Sequence, residues 1–132
     1  MKWRTVAVVI VAVGALAAVH PRAQQQPYSG QGDYQVYCSS CHGPDGRGDG
    51  AIAKSLKMRP SNLTQLAKRN DGVFPEARVV KVIDGRHAEL HANTDMPAWG
   101  EVFAKASESP GAEQAAARID VLVKYLETLQ VK

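Results

Sequence analysis

Cys38-Ser39-Ser40-Cys41-His42 is the stretch of sequence that decides the fold. Its two cysteines, the only ones in the chain, are three residues apart and therefore lie on one face of a helix. A disulfide between them would close almost no loop and would stabilise the chain little. A cysteine pair of this kind, with a histidine directly after it, needs a chemical explanation.

The spacing of this pentapeptide matches C-x-x-C-H, the pattern through which a haem is attached to a protein chain. In that chemistry each thiol, of Cys38 and of Cys41, adds to a different vinyl group on one edge of the porphyrin. The imidazole of His42 then lies beneath the ring and meets the iron. The sequence therefore predicts one haem c, bound covalently to Cys38 and Cys41 and ligated by His42.

Three other interpretations of the pentapeptide stay open. A thioredoxin-like dithiol shares the C-x-x-C spacing, but that fold requires a βαβ pattern that the sequence lacks. A structural zinc site normally has four ligands, and the further candidates are His87 and His91. The third interpretation is that two unrelated cysteines precede a histidine by chance.

The first 23 residues have the anatomy of a secretory signal peptide. Lys2 and Arg4 are followed by an apolar, uncharged run from Thr5 to Val19 and then by small residues. That run is shorter than the roughly 18 to 20 residues that span a bilayer, so a retained membrane anchor is the alternative. We expect a signal peptide over 1–23, a polar leader over 24–29 and one domain over 30–132. The mature protein is then periplasmic or, if the leader is retained, anchored to the outer face of the cytoplasmic membrane.

The charge of the chain does not indicate a nucleic-acid partner. The chain has 16 basic and 13 acidic residues, but Lys2, Arg4 and Arg22 lie in the predicted signal peptide. Without them the numbers of basic and acidic residues are equal, and no basic block remains. The partners that we expect follow from the predicted haem and are redox proteins, a donor and an acceptor.

The regular structure that the sequence predicts is helical. In no segment of the expected domain do apolar and polar residues alternate with the two-residue period of a strand. Glycines from Gly43 to Gly50 indicate a loop directly after the motif, and polar residues from Arg86 to Trp99 indicate a second, long loop. The fold class is therefore all-α. The predicted helices are 31–39, a short 51–57, 63–68, one that begins at Pro75 and ends at Gly85, and the run after Pro110-Gly111 to Gln130.

Residues 30–130 resemble a small monohaem cytochrome c of the His/Met-ligated class, the class I c-type cytochromes. The resemblance implies the cytochrome c fold, with four to five short helices around one haem. It also implies that the first helix, at Gly30 and Tyr34, crosses the last helix near Leu122 and Tyr125. The matching stretches are Gly30 and Tyr34, the motif continued through Gly43-Pro44-Asp45-Gly46-Arg47-Gly48, then Pro60-Ser61-Asn62-Leu63-Thr64, Met96-Pro97-Ala98-Trp99-Gly100, and Leu122 to Leu126.

Two further site residues follow from the resemblance. Pro60 matches the proline whose carbonyl accepts a hydrogen bond from the far nitrogen of the proximal histidine. Met96 matches the second axial ligand of the iron. Pro97 fixes the backbone beyond it and Trp99 offers a large ring to shield the haem. Other ligands stay open, namely Met58, His87 and His91, and Met96 could also be ordinary core filling.

Electron transfer is the function that these features predict. The sequence shows no Ser-His-Asp set, carboxylate pair or phosphate-binding loop, so we expect an electron carrier or an electron-transfer subunit rather than an enzyme. The alternative is a haem protein with an open or labile distal position, which would bind a gas or reduce peroxide. A strong sixth ligand distinguishes the first function from the second.

Overall fold

The computed structural model describes residues 28–91, 94–106 and 111–131. The predicted signal peptide and residues 24–27 of the polar leader lie outside these ranges. Within them every regular element is a helix, which confirms the all-α class and supplies no strand for a thioredoxin-like βαβ unit. In the same ranges no helix combines the length and the apolar character that a bilayer span requires.

The first helix runs without interruption from Gly30 to His42 and carries the whole cysteine motif. It consists of α1 (Gly30–Asp33), a π-helix (Tyr34–Cys38) and α2 (Ser39–His42). The side chain of Ser29 caps its beginning by accepting a hydrogen bond from the Gly32 amide. Short π-helical turns inside α-helices occur frequently at functional sites. The predicted helix 31–39 is confirmed and extends one turn further.

The middle of the chain is less helical than predicted. The expected helices 51–57 and 63–68 are single 3₁₀ turns at Ala53–Ser55, Leu63–Gln65 and Lys68–Asn70. Asn62 caps the second of these turns by accepting a hydrogen bond from the Thr64 amide, at 3.0 Å. Pro60 separates the two segments and the left-handed Asp71, with φ of 54°, ends the second, so each is shorter than the roughly 12 to 15 residues that a stable isolated helix needs.

The next helix, α3 (Glu76–Asp84), agrees with the prediction. It follows Pro75 and ends at Gly85, whose φ of 74° is the left-handed conformation typical of a helix end. Two elements that were not predicted come next. The one-turn helix α4 (Ala88–His91) lies inside the predicted loop 86–99, and α5 (Trp99–Ala106) follows it.

The last helix, α6 (Ala112–Thr128), is the centre of the domain. It packs against α1, α3 and α5. Its apolar stripe is buried, as the sequence predicted, and it meets side chains from the three other helices. The buried cluster consists of Ala115, Ile119, Leu122, Val123 and Leu126 of α6 with Tyr34, Val79, Ile83 and Phe103.

The first helix crosses α6 at Gly30, as the resemblance implied. A Cβ atom on Gly30 would lie 2.3 Å from the Val121 carbonyl oxygen and 2.8 Å from the Tyr125 Cβ. The two backbones therefore approach more closely than any larger residue allows. This crossing fixes the direction of the helix that presents Cys38, Cys41 and His42.

Candidate functional site

The glycine-rich loop after the motif folds back onto the end of the motif helix. The amides of Gly48, Gly50 and Ile52 donate to the carbonyls of His42, Cys41 and Ser40 at 2.7, 3.1 and 3.1 Å. These carbonyls are at the end of a helix and would otherwise have no partner. The loop thus fixes the last turn of the motif, and with it the direction of the His42 ring.

The motif opens onto a cavity of about 530 Å³. This volume is within the range of about 300 to 1,000 Å³ that is typical of cofactor sites. Cys38, Cys41 and His42 line the cavity together with Met96 and Trp99. Much of the remaining wall is apolar, and it includes Leu56, Leu63, Leu66, Val79, Val82, Ile83 and Leu126.

Both cysteines are free thiols, and each is half-buried. Burial, with smaller contributions from Asp33 and Cys41, raises the pKa of the Cys38 thiol to about 12. The group is therefore a neutral thiol at physiological pH. The structure thus presents two thiols at the cavity wall that are not joined in a disulfide.

His42 is held by a backbone carbonyl. Its Nδ1 lies 3.0 Å from the Ser61 carbonyl oxygen, and because a carbonyl only accepts, Nδ1 is the donor. Burial lowers the pKa of His42, and the hydrogen bond to Ser61 opposes this effect. In a neutral ring whose Nδ1 carries the proton, Nε2 keeps the lone pair that binds a metal.

The hydrogen bond to Ser61 corrects the prediction for Pro60. The partner of the histidine is the next carbonyl along the chain, and Pro60 itself lines the cavity. The Pro60 carbonyl instead packs against Gly48, where an added Cβ would lie 2.4 Å from its oxygen. The backbone direction at 60–61, which a motif does not specify, decides which carbonyl meets the ring.

The two methionines that line the cavity differ in burial. Met96 is partly buried and packs against the hydrophobic core. Met58 also lines the cavity, but 56% of it is exposed. Met96 is therefore the thioether that the surrounding protein shields from water.

Neither histidine of the 86–99 segment lines the cavity. The exposed His87 has its Nδ1 3.3 Å from the Glu89 carboxylate. His91 has both ring nitrogens against backbone carbonyls, Nδ1 at Met96 and Nε2 at Val82. Among the described residues, no group of three or more His, Cys, Asp or Glu side chains could hold a metal ion, so the zinc interpretation has no ligand set there.

Three aromatic rings form one end of the site. The Tyr37 ring stands edge-on to Trp99 and to Phe103, with centroids 5.4 and 5.3 Å apart, and Trp99 stacks on Phe103 at 5.8 Å. Tyr37 and Trp99 line the cavity, while Phe103 is buried behind them. The Arg118 guanidinium lies 4.4 Å from the Phe103 centroid. Rings locked in this way make a rigid wall.

A protein-family comparison agrees with this geometry. The model of the family described as "Cytochrome C oxidase, cbb3-type, subunit III" matches residues 25–108, which include the motif, the glycine loop and Met96. The chain belongs to this family. It is a cytochrome c domain of the monohaem class I type, and it transfers electrons through a c-type haem. The search of curated proteins and the search of solved structures each returned no match.

The cavity of this cytochrome c domain suits a haem in its size, its apolar walls and its donor atoms. Two thiols are available for covalent attachment, and the neutral imidazole of His42 is a donor that iron accepts. A haem also carries two carboxylates. Arg59, Arg69 and Arg78 are exposed residues that line the same cavity, and guanidinium groups pair well with carboxylates.

Sequence reasoning missed the Ser61 carbonyl and the Arg118–Asp33 pair. The Ser61 carbonyl is a backbone group, so nothing in the residue type indicates its role at His42. Arg118 could have been found from the sequence, because it is a charged residue beside Ile119 on the apolar stripe of α6. A charged side chain that is buried there requires a partner. That partner is Asp33.

Proposed function

We propose that this chain is an electron carrier, or an electron-transfer subunit, with a haem bound to Cys38 and Cys41 and ligated by His42 and Met96. The observation that carries the proposal is that these four side chains line one cavity with largely apolar walls. A c-type haem, when bound, supplies one-electron chemistry because its iron alternates between the ferrous and ferric states.

The residues around the haem would tune its reduction potential. The hydrogen bond from His42 Nδ1 to the Ser61 carbonyl orients the ring and increases its basicity as a ligand. The Met96 thioether is a soft, neutral donor that favours ferrous iron, so it raises the potential relative to a second histidine. Apolar walls that exclude water also favour the less charged form.

Burial and contacts support Met96 over its rivals as sixth ligand. Met58 is the more exposed methionine. His87 faces Glu89, and both nitrogens of His91 are directed at carbonyls rather than into the cavity. A sixth ligand from the shielded Met96 would leave no open position at the iron, which favours electron transfer over gas binding or peroxide reduction.

Cytochromes c of this kind function outside the cytoplasm, and we propose that residues 1–23 direct the chain to the periplasm. The family description names an oxidase subunit, which supports redox proteins as partners. Mass spectrometry of protein expressed with its own leader tests the export step. It should find about 17 to 23 residues removed and one haem added.

The ligand assignment is tested with Met96→Ala in the holoprotein, with Met58→Ala as the matched control from the same cavity. Met96→Ala should lower the reduction potential, abolish the weak sulfur-to-iron band at the red end of the oxidised spectrum, and let carbon monoxide bind ferrous iron. Met58→Ala should keep the band and exclude carbon monoxide. The opposite pattern would assign the ligand to Met58.

A further inference from the structure

His91 links the Met96 segment to helix α3. Its Nδ1 lies 3.0 Å from the carbonyl oxygen of Met96, and its Nε2 contacts the carbonyl oxygen of Val82. Val82 and Met96 both line the cavity, whereas His91 does not. The ring thus stands behind the cavity wall and bridges the backbones of two residues that form it.

Both contacts of His91 are made to groups that only accept hydrogen bonds. A contact of this kind is a hydrogen bond only if the ring nitrogen carries a proton. A neutral ring therefore makes one of the two hydrogen bonds, and a doubly protonated ring makes both. In either case the ring fills the space between the two backbones. Thr94 fixes the backbone of His91, the last residue of the one-turn helix α4 (Ala88–His91), because its amide and hydroxyl both donate to the His91 carbonyl.

A second contact holds the other side of the segment. The Asp95 carboxylate accepts a hydrogen bond of 2.6 Å from the Lys57 amide, and Lys57 Nζ lies 3.8 Å from the same carboxylate. Ala98 packs directly against Gly85 at the end of α3. Met96 therefore lies between two fixed points, and of these contacts only that of His91 reaches the Met96 backbone itself.

We propose that His91 is a positioning residue for Met96: it holds the Met96 backbone against α3 and so keeps the thioether at the iron. This inference rests on the proposed function, since it gives His91 a purpose only if Met96 is the ligand. His91 acts through the Met96 carbonyl and touches no reacting atom. A weakened bridge lets the segment move away and exposes the sixth coordination position.

The test uses full-length holoprotein with His91→Ala, His91→Asn and His87→Ala. His91→Ala removes both bridging contacts. His91→Asn keeps an amide donor close to the position of Nδ1 and can still reach the Met96 carbonyl. His87→Ala is the matched control, because His87 lies in the same segment but is exposed and pairs with Glu89. The readouts are the sulfur-to-iron band, the reduction potential and the rate of carbon monoxide binding to reduced protein.

His91→Ala should weaken the band, lower the potential and raise the rate of carbon monoxide binding about tenfold, as expected when hydrogen bonds that close the segment are lost. His91→Asn should recover part of each change, and His87→Ala should match the wild type. If Met96→Ala abolishes the band but His91→Ala alters none of the three readouts, the positioning role is wrong and the ligand assignment stands. If Met96→Ala leaves the band intact, the proposed function itself fails.

Loss of folding is a separate outcome. The far-ultraviolet circular dichroism spectrum of each variant detects it, and His91→Asn provides a less disruptive substitution if His91→Ala does not fold. A merely structural role would lower the unfolding midpoint of both His91 variants while the band and the potential stay at their wild-type values. That result would overturn the proposal. A shift in potential that His91→Asn partly reverses would support it.

Discussion

The Arg118 guanidinium and the Asp33 carboxylate form a bidentate ion pair that joins the last helix to the first. Nε to Oδ2 is 2.7 Å and Nη2 to Oδ1 is 2.6 Å, and the two side chains are only 11% and 10% exposed. The hydrogen bonds that Arg118 donates to Asp33 raise the pKa of Arg118 above its ordinary value. Because Asp33 belongs to the helix that carries the cysteines, this pair helps to orient the site.

Breaking this pair should be costly. Arg118→Met leaves the Asp33 carboxylate buried without its partner, so the free energy of unfolding should fall by about 3 to 5 kcal/mol in a denaturant titration of the holoprotein. The control is Lys105→Ala, which breaks an exposed pair with Glu101 at 3.9 Å and should change stability by about 0 to 1 kcal/mol. Equal effects of the two substitutions would contradict the structural role of Arg118.

The helix crossing at Gly30 gives a second prediction. Gly30→Ala places a Cβ within 2.3 Å of the Val121 carbonyl oxygen and should cost about 1 to 3 kcal/mol, because both backbones must move apart. Gly32→Ala on the same helix meets only Ser29, at 3.4 Å, and should be neutral or stabilising by up to about 1 kcal/mol. Thermal unfolding of the two variants measures the difference.

Tyr34 should make the protein sensitive to alkali. Its ring is fully buried and its hydroxyl donates to the Gly43 carbonyl at 2.6 Å. Burial raises the pKa of Tyr34 above its ordinary value near 10, so the unfolded chain loses the phenol proton first as pH rises. This contribution to stability is complete below about pH 10 and falls above it by up to about 1.4 kcal/mol per pH unit.

Tyr34→Phe tests this pH dependence. The variant should be about 1 to 3 kcal/mol less stable than the wild type at pH 8, because the Gly43 carbonyl loses its donor. The difference should narrow between pH 10 and 11.5 in urea titrations. A constant difference between Tyr34→Phe and the wild type across this range would contradict the account.

Local patterns were sufficient for the elements that the sequence predicted. The motif helix, α3 and α6 each have an apolar stripe or a glycine stop that is visible within one segment. The helix α5 (Trp99–Ala106) was missed because two turns with Trp99 and Phe103 one turn apart do not establish a period. The 3₁₀ turns at 53–55 and 63–65 were predicted as longer helices because the local residue pattern contains no information about tertiary packing.

Contacts made through the backbone explain the errors at the site. The prediction that Pro60 orients His42 was wrong by one residue, because the ring meets the Ser61 carbonyl and residue type does not specify which backbone carbonyl does so. His91 was considered only as a metal ligand, of zinc or of the iron, since an imidazole in a polar segment gives no sign that two carbonyls surround it. Residue types thus predicted the chemistry of the cavity, while its support depends on tertiary structure.

Replacement of both cysteines should prevent stable assembly. Cys38→Ala combined with Cys41→Ala removes covalent attachment, so little or no stable holoprotein should accumulate, because a domain this small depends on the bound group for much of its apolar interior. Acid–acetone extraction followed by absorption spectroscopy of the precipitated protein measures the haem that remains bound. A double variant that folds normally and keeps the same extraction-resistant haem would contradict covalent attachment.

The most direct test of the central claim, ligation by both His42 and Met96, is to add carbon monoxide to the reduced, unmodified holoprotein and record its absorption spectrum. A six-coordinate iron with a thioether held by the protein has no free position, so the spectrum of the reduced protein should stay unchanged at neutral pH. A rapid shift to the spectrum of a carbon monoxide complex would show an open or labile sixth position. That result would contradict ligation by Met96 and favour the gas-binding or peroxide-reducing alternative.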